Sequence, residues 1–151
     1  MDFAYNDEQK EIIKVVRDLV EKEIVPYAAE MDETGKLHEG LLEKLAAQGL
    51  LGVAIPEEFG GAGLDAITIA AIYEELGKGC AGVATTVAAN ALASYPVIIA
   101  GNDDQKKRYF DIINDDNLAA FALTEPGTGS DAGSVSTRAM KTEDGKGYIL
   151  N

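Results

Sequence analysis

Apolar residues recur at Ile12, Ile13, Val16, Leu19, Val20 and Ile24, while Lys10, Glu11, Lys14, Arg17, Asp18, Glu21 and Lys22 occupy the remaining face. One broad apolar stripe at helical spacing predicts an amphipathic helix. Asn6, with Gln9 three residues on, is its expected N-cap. Pro26 lacks a backbone N–H and is expected to interrupt the helix near residue 25, after which "PYAAEMDETG" continues for two turns to Gly35. A second helix is expected over 39–48, with Leu41, Leu42 and Leu45 inward and Gly49 at the left-handed C-terminal cap. "LLGVAIP" reads as a short extended link and "EEFGGAGLD" as a glycine-rich loop ending at Asp65, an N-cap. The third helix, 66–76, is closed by Gly77. It is apolar most of the way round, so it is central, and only Glu74, Glu75 and Lys78 look solvated.

Residues 79–102 are nearly uncharged, with Ala84, Ala88, Ala89, Ala91 and Ala93 permitting close approach of a neighbour. They read as a buried core helix or, alternatively, as a helix lining a ligand tunnel. Pro96 is expected to divide it from an apolar turn, "VIIAG", and Asp103 to cap a fifth helix over 104–113 with Tyr109, Phe110 and Ile113 inward. After residue 117 the period changes. "LAAFALT" reads as a strand, and "VSTRAMKTEDGKGYILN" as a hairpin with strands near 135–142 and from 146 or 147, turning at Asp144-Gly145. The expected fold class is mainly α: an all-α helical domain, residues 1–117, followed by the first strands of a β domain, residues 118–151. A two-stranded hairpin is marginal alone, so the β part reads as incomplete and the chain as cut short.

Composition narrows the partners. Twenty-six acids against 13 bases give a formal net charge of −13. That disfavours nucleic acid and anionic membrane surfaces, both of which need clustered Lys and Arg. No apolar run approaches the roughly 18–20 residues of a membrane span. The acidic N-terminus resembles neither a secretory signal nor a transit peptide, and the lone Cys80 has no internal disulfide partner. The expected compartment is a reducing cytoplasm, most simply a prokaryotic one.

Candidate chemistry is sparse. His38 stands among charges and reads as a surface residue; one His and one Cys cannot build a zinc site. The adjacent acids Glu57-Glu58, Glu74-Glu75 and Asp115-Asp116 diverge and read as solvated. "FGGAG", residues 59–63, lacks the GK[ST] ending and the βαβ context of a phosphate loop and reads as a turn using positive φ. "TEPGTGSDAG" differs. Gly127, Gly129 and Gly133 leave the backbone bare, Thr124 and Ser130 add hydroxyls, and Arg138 follows. Successive N–H groups in such a turn can hold an anion without net positive charge. The alternative is a tight turn in which Asp131 bonds its own backbone.

"FALTEPGTGSDAGSVSTRA" resembles the signature of the acyl-CoA dehydrogenases, and "LAAQGLLGVAIPEEFGGAGLD", "YEELGK", "IAGNDDQKKRYF" and "GYILN" agree in order and spacing. Thr128 departs from the smaller residue or Asn usual there. The resemblance implies a helical domain, a β domain and a C-terminal bundle, with FAD as cofactor. It also implies oxidation of acyl-CoA to trans-2-enoyl-CoA, an electron-transferring flavoprotein as partner and a homotetramer. It places Phe121, Leu123 and Thr124 at the flavin ring, Gly129 and Ser130 at its pyrophosphate, and Ser130 also at CoA. Ala84, Thr85 and Ala88 become acyl-tunnel residues. The catalytic base of the family lies in its C-terminal domain, so no residue here is assigned as catalytic. Oxidase, desulfinase and flavin monooxygenase chemistry, or a non-catalytic helical interaction module, are the alternatives.

Overall fold

The computed structural model describes residues 4–114 and 117–151. Asn6 caps α1 (Asp7–Leu19) through a full capping box: its side chain accepts from the Gln9 amide while the Gln9 side chain accepts from the Asn6 amide. The chain then widens into a π-turn, Val20–Ile24, tightens into a 3-10 turn, Val25–Tyr27, and resumes as α2 (Ala28–Thr34), ending at Gly35 with φ 65°. Pro26 is the cause. Its ring crowds the carbonyl four residues back, and the wider turn before it relieves that contact without breaking the rod.

α3 (Leu41–Ala47) ends at Gln48, and Gly49 takes φ 69°. "LLGVAIP" is not extended as expected. Residues Leu50–Gly52 form a 3-10 turn, and the Gly52 and Ile55 amides bond the Gly49 and Gly52 carbonyls. Four apolar side chains (Leu50, Leu51, Val53, Ile55) are thereby turned into the core. Asp65 caps α4 (Ala66–Gly79), its carboxylate accepting from the Ile67 and Thr68 amides. α4 runs through Gly77, which was expected to close it, because that glycine keeps a negative φ and the helix continues to an extended Cys80.

α5 (Ala81–Ala100) also outruns expectation: Pro96 lies inside it and does not divide it. The turn beyond Pro96 stays helical because Val97 and Ile98 pack against Ile55, Phe110 and Ile113, a tertiary gain that overrides the lost hydrogen bond. At 20 residues and a mean hydropathy of 1.5, α5 has the length and composition of a membrane span, which corrects the expectation that no apolar run came close. Two of its polar side chains turn inward, however: Asn90 and Ser94 are fully buried with protein partners, which places one face of α5 in the core, while Thr85 and Tyr95 stand exposed. α6 (Asp103–Ile113) is capped by Asn102, with Gln105 completing a capping box, and not by Asp103. A side-chain acceptor must stand one residue before the first helical turn, and Asn102 holds that place.

α1 packs on α4, α4 on α5 and α5 on α6. Val16, Val20, Ile24, Leu45, Leu76, Val83 and Val87 form the main core. Each such burial contributes about 1.5–3 kcal/mol before the entropy of ordering is set against it. Glu75, expected to be solvated, is buried against α1. Its carboxylate takes two bonds from the half-exposed Arg17 guanidinium, at 3.0 and 2.8 Å, and one from Lys78. The Arg17 hydrogen bonds, with Lys78, hold its pKa at about 2 against the upward push of burial. A carboxylate held below its ordinary 4.5 stabilises the fold above that value, and the contribution fades as pH falls towards 2. Replacing Glu75 by Gln is expected to lower unfolding stability at pH 7 by about 1–2 kcal/mol, less than for a fully buried pair because Arg17 and Lys78 stand partly in water. Urea titrations across pH 4.5 to 2 check this: the wild type loses stability in that window and the variant loses correspondingly less. Equal acid sensitivity in both proteins would refute the assignment.

The described chain divides into two compact units, Met1–Ala120 and Phe121–Asn151. "LAAFALT" forms no ladder. The only strands among the described residues are β1 (Ala139–Lys141) and β2 (Tyr148–Leu150), which pair with each other, and a segment without a strand beside it has nothing to complete its backbone bonds. β1 and β2 are antiparallel with Met140 opposite Ile149, and the turn uses Gly145 at φ 69°, as the hairpin reading expected. Every strand residue is exposed.

Candidate functional site

The loop of the second unit is organised by Glu125. A bridge between Glu125 and Thr128, at 3.1 and 3.0 Å, closes a turn over Pro126 and Gly127. The Glu125 carboxylate then reaches eleven and twelve residues ahead. It accepts from the amide and hydroxyl of Ser136 (2.7 and 2.6 Å) and of Thr137 (3.0 and 2.5 Å). Those four donors, Ser136 first, hold its pKa at about 2. Thr128 adds a hydroxyl bond to the Ser134 carbonyl. The Asp131 carboxylate takes the Ser134 hydroxyl instead of bonding its own backbone. Sequence reasoning missed Glu125 altogether: a carboxylate whose partners lie a loop away carries no local pattern that reveals them.

Inside this frame the predicted residues stand open. Phe121 and Leu123 are exposed, at 40% and 46%, although both are large apolar side chains. The Thr124 and Ser130 hydroxyls, and the Gly129 and Ser130 amides, have no hydrogen-bond partner among the described residues. A Cβ built on Gly127 or Gly129 would meet nothing within 4 Å, and neither has positive φ. The fold of this chain therefore does not require glycine at either place. Bare backbone with unpaired donors suits close approach by a group from outside, and an anion suits it best.

"FGGAG" is the opposite case. Gly60 and Gly63 take φ 85° and 57°, and the amides of residues 60–64 bond the Glu57, Pro56, Gly52, Ile55 and Val53 carbonyls. No donor is left for a phosphate, as its reading as a turn expected.

Ala84, Thr85 and Ala88 lie on one stretch of α5, with Thr85 exposed and the alanines half-buried. The Thr85 hydroxyl bonds the Ala81 carbonyl one turn back. Leu92, 49% exposed one turn beyond Ala88, extends the same apolar face. These residues belong to the first unit and Phe121 to Ser130 to the second. His38 stacks on Tyr27 with ring centroids 3.5 Å apart, a packing role. Among the described residues no group of acids, His or Cys could hold a metal. Asp115-Asp116 lie outside the described residues.

The family model "Acyl-CoA dehydrogenase, N-terminal domain" matches residues 6–114. A 3-(aryl)acrylate reductase of Clostridium sporogenes is 43% identical over 148 residues, covering 95% of this chain and 38% of that protein. The butyryl-CoA dehydrogenase of Megasphaera elsdenii superposes with a TM-score of 0.85 at 35% identity, covering all of this chain and 40% of that one. An acyl-CoA dehydrogenase of Bacillus anthracis, solved in complex with FAD, gives a TM-score of 0.83 at 37% identity, covering 97% of this chain and 26% of that one. The chain thus spans about two fifths or less of the length of these relatives.

Proposed function

The chain belongs to the acyl-CoA dehydrogenase family, and on that premise we propose that it supplies the helical N-terminal domain, residues 1–117, and one wall of the flavin site, in residues 118–151, of an FAD-dependent dehydrogenase converting acyl-CoA to trans-2-enoyl-CoA. The single observation that carries the cofactor is the loop at Gly129 and Ser130, where two amides and a hydroxyl have no hydrogen-bond partner among the described residues and a Cβ on Gly129 would meet nothing within 4 Å. These groups would hold the diphosphate of FAD by backbone dipoles, which a chain of net charge −13 needs because its overall field repels anions. Phe121 and Leu123 would lie against the ring system, with Thr124 donating to it, and Ser130 would also meet the CoA portion. Bound there, the flavin supplies the acceptor for the β-hydrogen. Ala84, Thr85 and Ala88 would flank the acyl chain, their small side chains leaving it room. The base that takes the α-proton is outside this chain. An electron-transferring flavoprotein as electron acceptor, a homotetrameric assembly and a cytoplasmic setting complete the proposal.

Titration of the 151-residue chain with FAD, followed by flavin fluorescence, is expected to show weak or no binding, because one wall does not enclose a diphosphate and a ring. Expressed within its full reading frame, the protein is expected to bind FAD, and Gly129→Val to lower that affinity about tenfold or more by filling the open backbone. Sub-micromolar binding by the 151 residues alone, or an unaltered affinity in the Gly129→Val protein, contradicts this assignment.

One observation favours a second reading: the relative at 43% identity is named for reducing an aryl acrylate. Saturating that double bond is the reverse of α,β-dehydrogenation and would call on the same flavin site. Anaerobic assays separate the two, since a dehydrogenase forms the enoyl thioester with an added oxidant, whereas a reductase saturates an aryl acrylate when the flavin is supplied reduced.

A further inference from the structure

Glu125 is not one of the groups assigned to the ligand, yet it holds both ends of the loop that presents them. We propose that Glu125 is the positioning residue of the diphosphate loop: by binding the amides and hydroxyls of Ser136 and Thr137 it fixes the course of residues 126–135, so that the Gly129 and Ser130 donors stay open. The inference rests on the flavin reading above.

Three features of the geometry carry it. The carboxylate uses both oxygens, each on one residue's amide and hydroxyl, so it grips two consecutive residues rather than one. Its own backbone is tied to Thr128, so the near end of the loop is fixed by the same residue that fixes the far end. A Cβ built on Gly127 or Gly129 would meet nothing within 4 Å, so side-chain packing does not fix the course of the loop there. A loop with bare glycines and no core contacts would otherwise sample many conformations, and ordering it at the moment of binding would weaken affinity. A carboxylate taking four hydrogen bonds is a charge-assisted clamp, stronger than neutral pairs would be. All four donors are amides and hydroxyls, with no charged side chain among them. Glu125 thus carries the negative charge on the side of the loop facing Ser136 and Thr137, and the free amides of Gly129 and Ser130 are left for a different anion.

Glu125→Gln tests this. Gln keeps one acceptor oxygen and sets an NH2 against the other residue, whose hydroxyl can turn to accept but whose backbone amide then meets donor against donor. Amide exchange at Ser136 and Thr137 in the 151-residue chain is expected to speed up at least about tenfold. In the protein expressed within its full reading frame, FAD affinity is expected to fall about tenfold or more, while riboflavin, which has the ring but no diphosphate, binds within about twofold of the wild type. Equal loss of FAD and riboflavin would mean a general structural role and overturns the proposal. So does unchanged exchange at the two amides, or FAD binding equal to wild type in the variant. If the unaltered protein binds no FAD, the flavin reading falls and this inference with it. If it does bind FAD and only the Glu125→Gln prediction fails, the flavin reading stands alone.

Discussion

Gly61→Ala is expected to destabilise the protein by about 3 kcal/mol or more. A Cβ at residue 61 would stand 2.1 Å from the Ile55 carbonyl oxygen and 2.3 Å from the Ile55 Cβ. Neither can swing aside, because Ile55 is 1% exposed in the second core cluster and its carbonyl already accepts from the Gly63 amide. The loop is laced to residues 52–57 by five backbone bonds, so moving one strand of it disturbs the rest. The penalty is steric and is unrelated to backbone torsion, since Gly61 has no positive φ. Urea unfolding followed by circular dichroism measures it, and Gly129→Ala is the control. There a Cβ meets nothing within 4 Å, so stability is expected to stay within about 0.5 kcal/mol. A Gly61→Ala protein as stable as the control would show that this loop is not packed as described.

Asn90→Leu should cost about 2–3 kcal/mol although it places an apolar residue in an apolar surrounding. Asn90 is fully buried on α5. Its Nδ2 donates to the Leu51 and Asn117 carbonyls, at 3.3 and 3.4 Å, and its Oδ1 accepts from the Ala119 amide at 2.6 Å. One side chain therefore joins α5 to the 3-10 turn at Leu50–Gly52 and to the segment leaving the helical unit. Leucine matches the volume but leaves the buried Leu51 carbonyl without the bond Asn90 supplies and frees the half-buried Ala119 amide. Two measurements bear on it: the urea midpoint, which falls, and amide exchange at Ala119, which accelerates. If the Ala119 amide exchanges at the wild-type rate in the leucine variant, the anchoring role is wrong.

These two sites show why some of the fold was legible and some was not. The Asn6–Gln9 pair, the Asp65 cap, the apolar stripe from Ile13 to Ile24 and the Asp144-Gly145 turn are local patterns, and each produced the element expected of it. Pro96, Gly77 and the "LLGVAIP" link were misread because their conformations depend on what packs against them. Val97 and Ile98 rest on Phe110, and residues 50–55 turn to bury four apolar side chains. Glu75 looked like one of a solvated pair until Arg17, 58 residues earlier, was placed beside it. The candidate site divides in the same way. The glycines and hydroxyls of "TEPGTGSDAG" could be seen in one dimension, but the bonds from Glu125 to Ser136 and Thr137 could not.

By itself the sequence determined most of the helices, several of their caps and the hairpin turn, because each follows from torsional preference and hydrogen bonding within a few residues. Only the tertiary structure decided which charges are buried, which glycines are required and which merely leave space, and that Asn90 and Glu125 each join segments distant in the chain. Those outcomes rest on contacts whose energy depends on what fills the neighbouring volume, and no local pattern records its neighbours.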